Sequence, residues 1–223
     1  MTSNIITVGT ITPQMELHDL IEKNIRILLL MEHFGTGFTV ADLTIEELCR
    51  LRGINPEIFA CFCNLYNGSD KICYEPKTIE DINQIIEFLE NAHRYYLDEM
   101  YPEIKYYIKK LSEINETDDI KMVEKFFESY FSEVKKHLDY EQKKLFPLLR
   151  SEDNAQKGKT KIHHGDIETK LADLKNLLLK HIRLIDKNGL KRKLLTALFE
   201  FQFDLNIHSL IEDKILIPIA LKK

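Results

Sequence analysis

Residues 137–147 read His-Leu-Asp-Tyr-Glu-Gln-Lys-Lys-Leu-Phe-Pro, and residues 208–218 read His-Ser-Leu-Ile-Glu-Asp-Lys-Ile-Leu-Ile-Pro. Both hold His-x-x-x-Glu with a proline six residues after the glutamate, and the offset between them is 71 residues for His137 and His208, Glu141 and Glu212, and Pro147 and Pro218. His93 and His164 are also 71 apart. Residues four apart on a helix share a face, so each His-x-x-x-Glu aims an imidazole and a carboxylate the same way. Two copies of a helix pair, each bringing one His and then His-x-x-x-Glu, would converge on a shared axis with pseudo-twofold symmetry.

Working outward, apolar residues recur at three- and four-residue steps along four long stretches, the mark of amphipathic helices. They run over about 78–114, 118–149, 160–185 and 190–221, and place one of His93, His137, His164 and His208 on each apolar face. Pro102 should kink the first. Short loops between four such helices predict an all-α fold, an antiparallel up-down-up-down four-helix bundle over residues 76–223. Residues 1–75 predict a small helical N-terminal domain: an extended lead-in at Ile5–Ile11, one helix from Met15 to Phe34, a helix opened by a capping box at Thr44 and ended near Gly53, and a third started by Asn55-Pro56.

The chain has 223 residues, 44% apolar and 30% charged, which excludes disordered, collagenous and purely coiled-coil readings. Its net charge is -5, and residues 1–75 carry all of that excess with 5 basic and 10 acidic side chains. Such a balance offers no basic footprint for nucleic acid or an anionic membrane. With no long apolar run, a cytoplasmic address is the expectation. Cys49, Cys61, Cys63 and Cys73 all precede the bundle and read as reduced thiols.

A single His on an apolar face is usually a satisfied core residue. Four of them, two with a glutamate one turn on, are costly to bury without a cation. Imidazole and carboxylate donors suit iron, and the absence of Cys from the bundle argues against structural zinc or an iron-sulfur cluster. The expected ligands are His93, His137, Glu141, His164, His208 and Glu212. Two octahedral irons offer about twelve positions, and these ligands with one bridging oxygen fill roughly ten, leaving about one open place per iron. Glu133 and Asp204, each one turn before a ligand His, are candidates for orienting the imidazoles or relaying protons. His163 competes with His164 but points away from the face formed by 164, 167, 171 and 174. His18, His33 and His181 read as ordinary.

These residues resemble the hemerythrin-like (HHE cation-binding) family, through His93-Arg-Tyr-Tyr-Leu-Asp-Glu-Met-Tyr-Pro102, the two His-x-x-x-Glu segments with their prolines, and His164. The resemblance covers roughly residues 80–221 and implies a non-haem di-iron centre, two iron ions with an oxo or hydroxo bridge. Within the family the chain resembles the RIC type, implicated in repairing iron-sulfur clusters. Val8-Gly9, Phe34-Gly35-Thr-Gly-Phe38 and Leu43-Thr-Ile-Glu-Glu-Leu-Cys49 are similar to that type's N-terminal domain. Thr39-Val40 stands where that domain has an adjacent Cys pair. Oxygen-carrying relatives supply a fifth His one turn after the third-helix ligand; Glu168 stands there.

The leading expectation is a di-iron protein that binds dioxygen or nitric oxide, in repair of iron-sulfur clusters or the response to nitrosative and oxidative stress. Iron-sulfur proteins are the expected partners, homodimerisation and catalytic turnover are left open, and no membrane is involved. The alternative is an oxygen or nitric oxide sensor that signals to a partner or to DNA, since Leu43–Tyr66 faintly resembles a helix-turn-helix.

Overall fold

The computed structural model describes residues 9–72, 74–151 and 165–218. His163, His164, Cys73 and most of the Ile5–Ile11 lead-in lie outside them. Every regular element among the described residues is helical. Ten α-helices follow there in order: α1 Leu17–Lys23, α2 Ile27–His33, α3 Ile45–Arg52, α4 Pro56–Tyr66, α5 Ile79–Tyr95, α6 Tyr101–Asn115, α7 Asp118–Tyr140, α8 Phe146–Arg150, α9 Gly165–Lys180 and α10 Leu190–Ile211. The first four precede residue 75, and the rest follow it. None of these helices is long and apolar enough to cross a membrane.

The described chain divides into two compact units, one of residues up to 92 with 149–151 and 211–218, the other of 93–148 and 165–210. In the first, the single helix expected over Met15–Phe34 is two. Asn24 breaks it by spending its side chain on backbone: its Nδ2 donates to the Tyr66 carbonyl at 3.0 Å, and its Oδ1 accepts from the Arg26 N–H at 3.1 Å. The Thr44 capping box forms as predicted, and Gly53 ends α3 in the left-handed region at φ 68°. Asn55 caps α4, with Pro56 behind it. Ile11 is held to α4 by buried Asn64, which accepts from the Ile11 N–H and donates to its carbonyl.

Phe34, Phe59, Phe62 and Phe88 form the centre of this unit, with ring centroids 4.8–5.7 Å apart. His33 is not a surface residue: it is 1% exposed, and its ring meets Phe88 edge-on. Cys49, Cys61 and Cys63 are buried. Burial pushes the Cys49 thiol up to about 12 and Cys63 well above its ordinary value, the latter with help from its two cysteine neighbours. All of α4 from Ile58 to Tyr66 is buried, so it cannot serve as the exposed recognition helix that a groove-reading helix-turn-helix requires.

In the second unit α6 packs on α7, and α7 on α9. Side-chain pairs give the register. Moving from His93 to Tyr95 on the first bundle helix, the partner falls from His208 to Glu200, so this helix and α10 run antiparallel. Tyr101 stacks on Phe131 at 4.2 Å and donates to Glu128 Oε2 at 2.8 Å. The third bundle helix ends at Lys180 rather than near Ile185. Buried Asn115 takes the chain there: its Oδ1 accepts from the Ile185 N–H at 2.6 Å and its Nδ2 donates to the Ile185 carbonyl at 3.2 Å.

The bundle helices are interrupted by π turns, which hydrophobic periodicity alone does not announce. They span Tyr96–Met100, Glu141–Leu145 and Glu212–Leu216, and each first residue precedes a proline by six: Pro102, Pro147 and Pro218. In each, the N–H just before the proline reaches back five residues, from Tyr101 to Tyr96, Phe146 to Glu141 and Ile217 to Glu212. Proline lacks an N–H, and its ring would strike the carbonyl four residues earlier in a straight α-helix. Widening the turn removes the clash, so the conflict that predicted a kink at Pro102 is resolved by a bulge.

Candidate metal centre

His93 lies near the end of α5, His137 near the end of α7 and His208 near the end of α10; Glu141 opens the π turn after α7. His93 and Glu141 are 0% exposed and His208 is 3% exposed. The helix register brings them to one point. His93 Nε2 and His208 Nε2 are 3.2 Å apart, and Glu141 Oε2 lies 3.1 Å from the first and 3.7 Å from the second. Glu141 Oε1 faces elsewhere, 2.6 Å from His137 Nε2 on the same helix. One carboxylate therefore presents one oxygen to a pair of imidazoles and the other oxygen to a third.

This geometry fits a metal. With donor–metal bonds of about 2.1 Å, neighbouring donors on an octahedron sit about 3.0 Å apart, the square root of two times the bond length. The three donors His93, His208 and Glu141 Oε2 have edges of that order, and His93, Glu141 and His208 form a group able to hold an ion. Water is excluded from them, and a fully buried carboxylate is stable only with positive charge or hydrogen-bond donors at hand. A cation among three imidazoles and this carboxylate supplies that charge, and when bound it would act as a Lewis acid toward a small ligand.

Rings lock the imidazoles in place. His93 is stacked on Phe146 at 5.5 Å and tilted against His208 at 4.9 Å. Tyr96 meets His208 edge-on at 5.8 Å, and its hydroxyl donates to Asp204 Oδ2 at 2.7 Å. Asp204 is 1% exposed, so of the two accessory acids it is the one drawn into the interior. Glu133 is instead paired with Lys170 near the surface. Sequence reasoning does not single out Tyr96 or Phe146, although signals exist: Tyr96 is one turn from His93, and Phe146 directly precedes the repeat proline.

Glu212 is 0% exposed and opens a π turn as Glu141 does. His164 and its competitor His163 lie outside the described residues. Glu168, half-buried on α9, is felt by Tyr130, whose phenol is held well above its ordinary value first by burial and then by that charge. His18 is exposed and His181 sits in an exposed turn beyond α9, as expected of ordinary residues.

A helical bundle whose interior gathers imidazoles around a two-faced carboxylate is a metal-binding bundle. The chain belongs to the family of the hemerythrin HHE cation binding domain, whose model matches residues 84–220. That span contains all six expected ligands. No curated protein matches the chain.

Proposed function

We propose that this chain is a non-haem di-iron protein that binds dioxygen or nitric oxide. The observation that carries the reading is Glu141, with Oε2 toward His93 and His208 and Oε1 toward His137. A carboxylate divided in this way would offer one oxygen to an ion on each side. By the 71-residue repeat, His164 and Glu212 are the expected counterparts of His93 and Glu141. Iron follows from the mixture of imidazole and carboxylate donors without thiolate. The ligand count leaves about one coordination place per iron for a diatomic molecule.

The protein acts in the response to nitrosative or oxidative stress, of the iron-sulfur cluster repair type, with residues 1–75 as its accessory domain, residues 76–223 as the bundle and the cytoplasm as its site of action. The four N-terminal helices support this assignment. Thr39-Val40 in place of a Cys pair means that any repair chemistry proceeds without thiols at that point. The test is iron stoichiometry with optical spectroscopy on the purified chain. About two irons per chain, an oxo-bridge absorption and a change on adding nitric oxide are expected; a folded protein that takes up no ferrous iron would refute the reading.

A further inference from the structure

Tyr96 opens the first π turn, three residues after His93, and is 0% exposed. Ring contacts and a hydrogen bond mark its surroundings. Its ring stands edge-on to the His208 imidazole, with centroids 5.8 Å apart and planes at 61°. The rings of Phe201 and Tyr95 also lie near it, with centroids 5.3 and 6.0 Å away. Its hydroxyl donates a 2.7 Å hydrogen bond to Asp204 Oδ2, one turn before His208 on α10. Tyr95 is paired in parallel, its hydroxyl donating to Glu200 Oε1 at 2.7 Å, but that bond is only part-buried.

A phenol that merely fills space beside an imidazole does not need a buried carboxylate at its oxygen, and phenylalanine would pack as well. Asp204 costs desolvation that a structural pair would avoid. What the arrangement does provide is a redox-capable ring in contact with a candidate metal ligand and a base at hydrogen-bonding distance from its O–H. Removing an electron from a phenol makes its O–H strongly acidic. In a dry interior a charged phenol radical would be expensive, and a base already in place removes the charge as it forms.

We infer that Tyr96 is a one-electron donor to the metal centre, with Asp204 as the acceptor of its proton. The inference rests on the di-iron reading above. In the step, the Tyr96 O–H bond breaks and the proton bonds to Asp204 Oδ2. The electron would pass by way of His208 to the iron pair, which excess hydrogen peroxide, itself reduced to water, has first raised above its diferric state and which this electron lowers by one oxidation equivalent. A neutral tyrosyl radical and a neutral Asp204 carboxylic acid remain, so the tyrosine–carboxylate pair loses one negative charge, that of the departed electron. Such a donor gives an over-oxidised centre a defined, buried place to draw an electron from, in preference to its own ligands.

The test uses the full chain loaded with ferrous iron, its iron content measured, then mixed with hydrogen peroxide and frozen for electron paramagnetic resonance. A tyrosyl signal is expected in the wild type and in Tyr95→Phe. It should be lost in Tyr96→Phe at unchanged iron content, and its yield should fall in Asp204→Asn. A signal of equal size in Tyr96→Phe, or none in iron-replete wild type, overturns the assignment. Failure of the wild type to take up iron appears before peroxide is added and defeats the underlying di-iron reading, so the two failures are distinguishable.

Discussion

The Nε2 atoms of His93 and His208, 115 residues apart in sequence, face each other at 3.2 Å with the Glu141 carboxylate beside them. Imidazole nitrogens so close repel unless a proton or a metal ion sits between their lone pairs. Iron bound there stabilises only the folded chain, because the unfolded chain has no such convergence. At about one hundred times its Kd a ligand adds about 2.7 kcal/mol. For a chain of this size each kcal/mol is worth roughly 2–4 °C. Ferrous iron under anaerobic conditions should therefore raise Tm by about 5–10 °C in differential scanning fluorimetry, and a chelator should reverse the gain.

Glu141 is the residue whose loss separates a metal site from an ordinary polar core. Glu141→Gln keeps its shape and removes its charge. The iron-free variant should melt no lower than iron-free wild type, since a buried carboxylate costs more desolvation than an amide. Its iron affinity should fall by more than the roughly 10–100-fold typical of losing an outer partner. Glu141→Ala and Glu212→Ala should each lose most of the bound iron, whereas His163→Ala should keep it. Equal iron content in all three alanine variants, by elemental analysis, would overturn the ligand assignment.

Much of this site is legible in the sequence because metal ligands on helices obey two simple rules. A donor pair must recur at four residues, and a duplicated helix pair repeats its donors at one fixed offset. Those rules pick out His93, His137, Glu141 and His208, the four residues that the helix register gathers. What cannot be read has a common physical origin in long-range partners. Asn24 and Asn115 end helices by bonding backbone 42 and 70 residues away. No local propensity encodes such a contact. The π turns are half legible: the prolines are visible, but a helix can answer a proline by kinking or by widening, and packing on both sides chooses. Tyr96 escapes notice because a tyrosine on an apolar face is ordinary until its carboxylate partner is known.

Asp81 anchors the start of α5 and gives a pH-dependent test independent of metal. Its carboxylate accepts from the Lys77 and Thr78 N–H groups, the Tyr74 hydroxyl and the Asn55 amide. Burial alone would raise its pKa, but these donors outweigh burial and hold it below the usual carboxylate value. Tyr74 responds in the opposite sense, pushed up to about 12 by burial and by this bond. A depressed carboxylate stabilises the fold above its unfolded pKa and ceases to as pH falls through the folded value. Asp81→Ala should cost about 2–3 kcal/mol at neutral pH, the scale of losing hydrogen bonds to a charged group. In urea titrations the gap between variant and wild type should stay constant down to about pH 5 and narrow below about pH 4.

Lys143 lies in the middle of the π turn Glu141–Leu145 and is exposed, which makes the turn open to direct dissection. A π turn is one residue more than an α-helix needs, so deleting Lys143 restores regular α geometry with the same residues on either side in register. The deletion does not remove Pro147, whose ring then meets the carbonyl four residues back. The single deletion should therefore cost about 3 kcal/mol, the scale of a proline inside a helix. Adding Pro147→Ala to the deletion should recover most of that loss in chemical denaturation, because the clash goes and the missing N–H returns. If the deletion is equally destabilising with and without Pro147, then tertiary packing rather than proline dictates the π turn, and the same origin must be sought for the turns before Pro102 and Pro218.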